Sequence, residues 1–594
     1  MPPRLDWRAI MSTGTPQSFE PVRDGTLPEL LRTLAERRGG REALVYPAFA
    51  HGDDAVRLSF AELDSRVDQL ARGLMGLGVE AGEHVALWAP NLPDWVPLEF
   101  ALARIGAVLV TVNTALAADE VAYVLRQSKA RTIIHGARHG QHEASAALDT
   151  LFERDDPGVA GVANRVWMPA RPGEMPPVGI RPIDSEKLRG PILSLGEVVD
   201  MGRHIGDDEF AARQAAVAPD DVVNIQYTSG TTGFPKGVML THRNLLSNGC
   251  ALADSLEMTA DDRVALIVPL FHCFGCVVCV LGAYTHGAAL CCIPAFEPGA
   301  ALRLLAEERI SIVNGVPTMF NAMLHDPARE LYTFPALRTG IVAGAPCPVP
   351  LMQEIDTLLG CHGIGVAYGL TEASPGVTGP DPHAPLEKRA TTCGRLIRDV
   401  EVRFVDPATG AVLDGAGGLT GDGAGTGAEG EACDGEVQVR GPGIMAGYHD
   451  DPEGTAAALT EDGWLRTGDL GRLGPDGFLR ITGRSKDIII RGGENIAPAE
   501  IESLLRSHTD VVDAAVVGVP DEHFGEEVAA GVILKAGRPF DPQDLADSLA
   551  GRIAKFKVPR RWKVFGTFPL TGSGKVKKFE LRERFDSDVV STGD

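Results

Sequence analysis

The stretch Tyr227–His242, YTSGTTGFPKGVMLTH, carries five hydroxyl side chains (Tyr227, Thr228, Ser229, Thr231 and Thr232), three glycines (Gly230, Gly233 and Gly237) and one lysine, Lys236. Glycine lets a backbone turn sharply and approach a ligand closely. Exposed amides together with Ser/Thr hydroxyls donate densely to phosphate oxygens, and a lysine adds a point charge. The preceding Val222–Gln226, VVNIQ, is an apolar, β-branched run of the kind strands prefer. VMLTH and then RNLLSNGCALADSL read as a second strand and an amphipathic helix capped near Thr241. The stretch is a phosphate-cradling loop between two strands. It is not a Walker P-loop, because the string G-x-x-x-x-G-K-[ST] running into a helix does not occur.

Upstream, Leu27–Arg38 is amphipathic, with Thr26 and Glu29 spaced as a capping box. Strand EALVY follows, then a helix over 58–78 with Ser59 near its start and Gly78 as a stop. HVALWAP, VLVTVN and RTIIHG read as strands separated by the helices WVPLEFALARIGA and AADEVAYVLRQS. That alternation predicts parallel βαβ units. Residues 139–218 are less regular, and the proline-rich 168–182 reads as surface loop. Downstream, 313–324 and 337–348 each look like a strand entering a turn. HGIGVAYGLTEASP (362–375) ends a strand in a tight turn at Gly369 that bears Tyr368, Thr371 and Glu372. Open α/β sheets place their ligands at such strand ends.

From Cys393 to Tyr448 the pattern shifts to short strands of alternating polarity, a small antiparallel barrel or sheet. Residues 415–435 within it are rich in Gly and acidic residues and predict a flexible hairpin loop. After GRSKD a fresh pattern of strands (488–491, 512–518, 527–535, 562–567) and helices (498–507, 542–554) begins. The expected fold class is α/β. A large N-terminal domain, 1–484, of βαβ-type sheets plus a small β-barrel-like subdomain precedes a mobile α+β C-terminal domain, 485–594.

The 594 residues are 44% hydrophobic and 23% charged, ordinary for a globular enzyme, with a formal net charge of −24. That charge argues against nucleic acid or an anionic membrane as partner, so any anionic ligand must be held by a local pocket. Ten cysteines in such a length do not make a disulfide scaffold. The start, MPPRLDWRAIMSTG, has no apolar h-region, which points to a cytoplasmic protein. Val264–Phe296 lacks Asp, Glu, Lys and Arg, but prolines, histidines and glycines interrupt it. It reads as buried strand (264–268), helix (273–284) and strand (288–293), not as a transmembrane segment. Cys273, Cys276 and Cys279 lie three residues apart within it. No fourth iron–sulfur ligand follows at the required spacing, so they read as core cysteines on one helix face.

Several further motifs occur in order: PLFHCFG (269–275), VAGAP (342–346), YGLTE (368–372), RTGD (466–469), GRSKD (483–487), RGGENI (491–496) and TGSGK (571–575). With the phosphate loop, and over roughly residues 25–585, they resemble the adenylate-forming (AMP-binding) superfamily. GRSKDIIIRGGENIAPAEIE and FKVPRRWKVFGTFPLTGSGK are most similar to its fatty acyl-CoA synthetase branch.

The resemblance implies an acid–thiol ligase acting in two steps. A carboxylate, here a medium- or long-chain fatty acid, attacks the α-phosphorus of ATP, and coenzyme A then takes the acyl group from the adenylate. Loading of an acyl carrier protein, and an aryl acid as substrate, are the alternatives the same motifs allow. By the resemblance, Thr228, Ser229, Gly230, Thr231, Thr232, Gly233 and Lys236 hold the β- and γ-phosphates. Glu372 is the Mg²⁺ ligand and Thr371 bonds the α-phosphate. Tyr368 and Gly369 face the adenine, with Gly344, Ala345 and Pro346 on the other side of the slot. Asp469 accepts from the ribose, and Arg484 reaches ribose or phosphate. Lys575 bridges carboxylate and α-phosphate as the catalytic lysine. His272 gates the acyl pocket, which Val316–Phe320, Gly340–Gly344 and Gly369–Ser374 line. Lys486 is the hinge about which the small domain turns, and Gly493 lines the pantetheine tunnel.

Overall fold

The computed structural model describes residues 19–51, 55–136, 144–170, 192–228, 235–345, 347–407, 409–413, 419–420, 435–484, 487, 489–491, 494–496, 498–521, 524–549, 552–570, 575–586 and 590–591. An eight-stranded sheet holds the phosphate loop's flanks. In spatial order its strands are Gly447–Tyr448, Lys236–Thr241, Val222–Thr228, Val108–Thr111, His84–Trp88, Thr132–His135, Asn164–Trp167 and Leu193–Ser194. Val222–Thr228 runs antiparallel to Lys236–Thr241 and parallel to Val108–Thr111, and the strands beyond continue parallel. The βαβ alternation of the sequence thus becomes a parallel sheet, and the phosphate-loop hairpin stands near one edge.

A second sheet pairs Ile312–Val313, Arg263–Leu266, Ala289–Cys292 and Glu42–Tyr46 in parallel, with Val56–Ser59 antiparallel at its edge. Thr26 and Ser59 each cap a helix through a complete capping box with Glu29 and Glu62. Helix His242–Ser255 starts on the same device, Thr241 with Asn244. The apolar stretch after Val264 forms strand Arg263–Leu266, helix, and strand Ala289–Cys292, as its breakers predict. Its helix differs in winding: Phe274–Leu281 is a π-helix, and only Gly282–Thr285 is α-helical. Among the described residues no helix is long and apolar enough to cross a membrane.

Leu419–Thr420, Glu401–Val405, Gly435–Arg440, Leu465–Leu473 and Leu479–Arg484 form an antiparallel five-stranded sheet, the small subdomain the alternating polarity predicts. Tyr448 departs from that expectation, because Gly447–Tyr448 leaves this sheet and pairs with Val238–Met239 at the edge of the large one. Most of the Gly/acidic segment 415–435 lies outside the described residues. The next strand after Arg484, Ile489–Arg491, belongs to another sheet, with Glu494–Ile496, Gly525–Leu534, Val511–Asp521, Arg561–Val564 and Val590–Ser591. Helices Pro498–Arg506 and Pro542–Leu549 pack an apolar core of their own on it, around Ile501, Leu505, Val516, Leu545 and Trp562.

Candidate active site

Strands Ile341–Val342 and Gly365–Val366 are parallel neighbours, so Gly344–Ala345 and Tyr368 leave adjacent strand ends on one side. Gly344 has φ +87°, and with Ala345 it is exposed. Tyr368 donates from its hydroxyl to Asp469 Oδ2 at 2.6 Å. Arg484 Nε donates to Asp469 Oδ1 at 2.6 Å, and the two residues face each other in one strand ladder. Asp469 is 2% exposed, so both of its oxygens are held inside the protein by a phenol and a guanidinium. Burial, and then the charge of Asp469, push the Tyr368 hydroxyl far above its ordinary range and keep it a proton donor.

The turn after Tyr368 is tight because Gly369 permits it: a Cβ there would stand 2.1 Å from the carbonyl oxygen of Pro375. Thr371–Ala373 forms a short 3₁₀ helix that presents Thr371 and Glu372. Asn248, on helix His242–Ser255, supports this turn from below. Its amide donates to Ala373 O (3.0 Å) and Gly376 O (2.8 Å), and its Oδ1 accepts from Gly376 N (2.8 Å).

Tyr448, now at the edge of the large sheet, donates to Glu372 Oε1 at 2.8 Å. The Lys236 ammonium lies 4.8 Å from the centre of the Tyr448 ring and 3.0 Å from Asp451 Oδ2. Asp451 also caps helix Pro452–Ala458 through Gly454 N. That amide and Lys236 hold its carboxyl below the usual range. One segment, Tyr448–Asp451, therefore touches both the phosphate-loop lysine and the glutamate opposite. Sequence reasoning missed Tyr448, Asp451 and Asn248. The only local signal was Asp451-Pro452, a helix start; the contacts are all long-range.

PLFHCFG turns the chain from strand into the π-helix. Gly275 allows that start, since a Cβ there would lie 2.2 Å from Pro269 O. His272 Nδ1 accepts from Phe274 N at 3.1 Å. Desolvation first, and the charge of Lys575 second, hold the His272 imidazole down at about 4, so it is neutral at physiological pH. Cys273 Sγ lies 3.9 Å from Thr371 Oγ1. The three cysteines stay buried as free thiols, but they do not share one partner face. Cys273 meets Thr371, Cys276 meets Gln226 (3.1 Å) and Cys279 meets Asn314 (3.6 Å), because π winding turns a three-residue spacing to different neighbours.

Lys575, from the C-terminal unit, points its charge into this same place. Its side chain keeps solvent contact, yet desolvation by the cleft wall and the Arg484 guanidinium lower its pKa. Asp469, Cys273 and Glu372 act on it in the opposite direction. Lys575, His272, Glu372, Asp469 and Arg484 are thus within one electrostatic neighbourhood. Thr228 ends its strand opposite Lys236. Ser229, Gly230, Thr231, Thr232, Gly233, Pro346, Lys486 and Gly493 lie outside the described residues.

The profile of the AMP-binding enzyme family matches residues 31–449, and that of the AMP-binding enzyme C-terminal domain matches 500–575. The chain is 36% identical over 575 residues to the acyl-CoA ligase SID4 of Ajellomyces capsulatus, covering 94% of this chain and 91% of that protein. It is 34% identical over 569 residues to the mitochondrial medium-chain acyl-CoA ligase ACSF2 of Mus musculus, covering 95% and 88%. The chain belongs to the AMP-binding enzyme family, in its acyl-CoA synthetase branch. The solved structure of ATP-bound MatB from Rhodopseudomonas palustris matches with a TM-score of 0.74 at 27% identity, over 94% of this chain and 99% of that one. Family membership makes the constellation above the candidate active site of an AMP-forming acid–thiol ligase.

Proposed function

We propose that this enzyme activates a medium-chain carboxylic acid with ATP and passes the acyl group to coenzyme A. In the first step a carboxylate oxygen bonds to the α-phosphorus, the bond to the bridging oxygen breaks, and pyrophosphate leaves. In the second a thiolate sulfur bonds to the acyl carbon, the acyl–phosphate C–O bond breaks, and AMP leaves. The observation that carries the reading is the arrival of Lys575 beside His272, Glu372, Asp469 and Arg484. Two anions must meet in the first step, and preorganised cations and donors are what lower that barrier.

Lys575 supplies the charge between carboxylate and α-phosphate. Thr371 donates to the same phosphate, and the neutral His272 lies beside the reacting carboxyl without adding charge. Tyr368 offers a ring face to adenine while its hydroxyl fixes Asp469, which receives the ribose hydroxyls with Arg484 beside it. Thr228, Lys236 and the loop between them hold the outer phosphates; on ATP binding the Lys236 ammonium exchanges Asp451 for phosphate oxygens. A Mg²⁺ ion fits Glu372, a hard carboxylate whose Oε1 is oriented by Tyr448 and whose Oε2 has no partner among the described residues. Bound there, it would neutralise charge on the pyrophosphate leaving group. The medium-chain preference rests on the name of the mouse relative.

The test is acid-dependent AMP formation from ATP and Mg²⁺ across C2–C18 acids plus benzoate and cinnamate, with and without coenzyme A. Coenzyme A-dependent turnover that peaks at one chain length is the expected result. Acyl-AMP that stays bound and ignores coenzyme A would transfer the second step to a carrier-protein pantetheine. No AMP with any acid would overturn the ligase reading.

A further inference from the structure

Beside the π-helix, the core stops being apolar. The strands Val108–Thr111 and Val222–Thr228 are parallel neighbours with Thr111 opposite Gln226. Side chains two apart share a sheet face, so Thr111, Gln226 and Asn224 point the same way. Gln226 donates to Cys276 Sγ of the π-helix, which fixes that face as the one turned to the π-helix. Glu99, on helix Trp95–Arg104, lies close enough to act on the Cys276 thiol, and Trp95 stands one turn before Glu99.

Exposure is 2% at Glu99, 3% at Thr111, 1% at Asn224 and 0% at Trp95. Both carboxyl oxygens of Glu99, both polar atoms of the Asn224 amide, Thr111 Oγ1 and Trp95 Nε1 have no hydrogen-bond partner among the described residues. An unpaired buried polar atom costs as much as a lost hydrogen bond. A core with that many, on adjoining elements, is built to receive something polar.

Its position says what. Gln226 is two residues before Thr228, where the phosphate loop begins. Cys276 is three residues beyond Cys273, whose thiol touches Thr371. The polar cluster is therefore linked to the reaction centre through Gln226 and the neighbouring thiols of Cys276 and Cys273, the second of which lies against Thr371. Burial holds Glu99 protonated far above the ordinary carboxylate range, with no neighbouring charge opposing it, so it both donates and accepts. Asn224 and Thr111 likewise do both.

Resting on the ligase reading above, we propose that Glu99, Asn224 and Thr111 form the inner end of the acyl site and select carboxylic acids that carry a hydroxyl group a few carbons from the carboxylate. The unsubstituted acid would leave these groups unpaired, and that, more than any attraction, is the source of discrimination.

The experiment compares kcat/KM for AMP formation with straight-chain C4–C8 acids and their monohydroxylated counterparts. Wild-type, Glu99→Gln, Glu99→Leu and Asn224→Leu enzymes are assayed, with folding checked by thermal denaturation. At least one hydroxy acid should exceed its parent by about tenfold or more in the wild type. Glu99→Gln, which keeps a donor and an acceptor, should retain most of that ratio, and the two leucine variants should bring it to one or below. Should a leucine variant not fold, the wild-type ratio and Thr111→Val decide: loss of that hydroxyl should lower the ratio, and a ratio unchanged in Thr111→Val would overturn the proposal. Plain acids that outrun every hydroxy acid in the wild type would overturn this proposal while leaving the ligase reading intact. So would a ratio unchanged in Glu99→Leu, which would make the cluster a water site only. No turnover of any acid would overturn both.

Discussion

We propose that a single ammonium, that of Lys575, decides the first half-reaction. Lys575→Ala should lower adenylation by about 10²–10⁴-fold, the scale of one transition-state group. Thioester formation from supplied acyl-adenylate should fall much less, and equal losses in both steps would remove Lys575 from the role. The same residue sets a pH limit. Only its protonated form carries the charge, and burial and Arg484 lower its pKa below that of an ordinary lysine. Adenylation should therefore fall as pH rises through that lowered value, and Lys575→Arg should move the alkaline limb upward in a rate–pH profile. Tyr448 acts through another group. Its 2.8 Å bond to Glu372 is charge-assisted, a class worth about 1.5–3 kcal/mol. Tyr448→Phe should slow adenylation about tenfold or more and raise the Mg²⁺ concentration needed for half-maximal rate. An unmoved Mg²⁺ dependence would show that Tyr448 does not position Glu372.

At the scale of elements, the site is a turn held by a helix. Asn248 alone satisfies three backbone groups of the 373–376 segment. Asn248→Ala would strand them in the interior and should destabilise the protein by about 2–5 kcal/mol. Urea unfolding would read this as a lower midpoint; an unchanged midpoint would mean that the turn holds itself. Such long-range support explains what the sequence could and could not reveal. The phosphate-loop hairpin and the caps at Thr26, Ser59 and Thr241 were legible because their chemistry is local. The apolar run FGCVVCVL announced a buried helix, but with every residue apolar no periodicity separates π from α winding. Nor could Tyr448 be placed: nothing near it in sequence says that its strand joins the far sheet. Tyr368, Glu372, Asp469 and Lys575 were found only through the ordered motifs, since each alone is an ordinary turn residue.

The whole molecule has two chemical tasks and one candidate site. Lys575 of the C-terminal unit brings its charge to His272 on the large unit. On the proposed roles, Lys575 joins carboxylate and α-phosphate in the first step and gives way to the thiol in the second, and we propose that the small unit moves between the steps. We propose that the pivot follows Arg484. Leu479–Arg484 ends the five-stranded sheet and Ile489–Arg491 opens another, with Arg484 tied back to Asp469 by a 2.6 Å ion pair. On that proposal rotation is absorbed just after Arg484, at Lys486. Proline fixes φ near −65° and constrains the residue before it. Lys486→Pro should thus leave adenylation, which uses the present arrangement, within a few-fold of wild type. Thioester formation from the same acyl-adenylate should drop by at least an order of magnitude, because the pivot can no longer turn. Single-turnover assays of the two steps separate these outcomes. Wild-type rates in both would move the hinge elsewhere, and loss of adenylation with thioester formation intact would mean that proline had locked the opposite orientation.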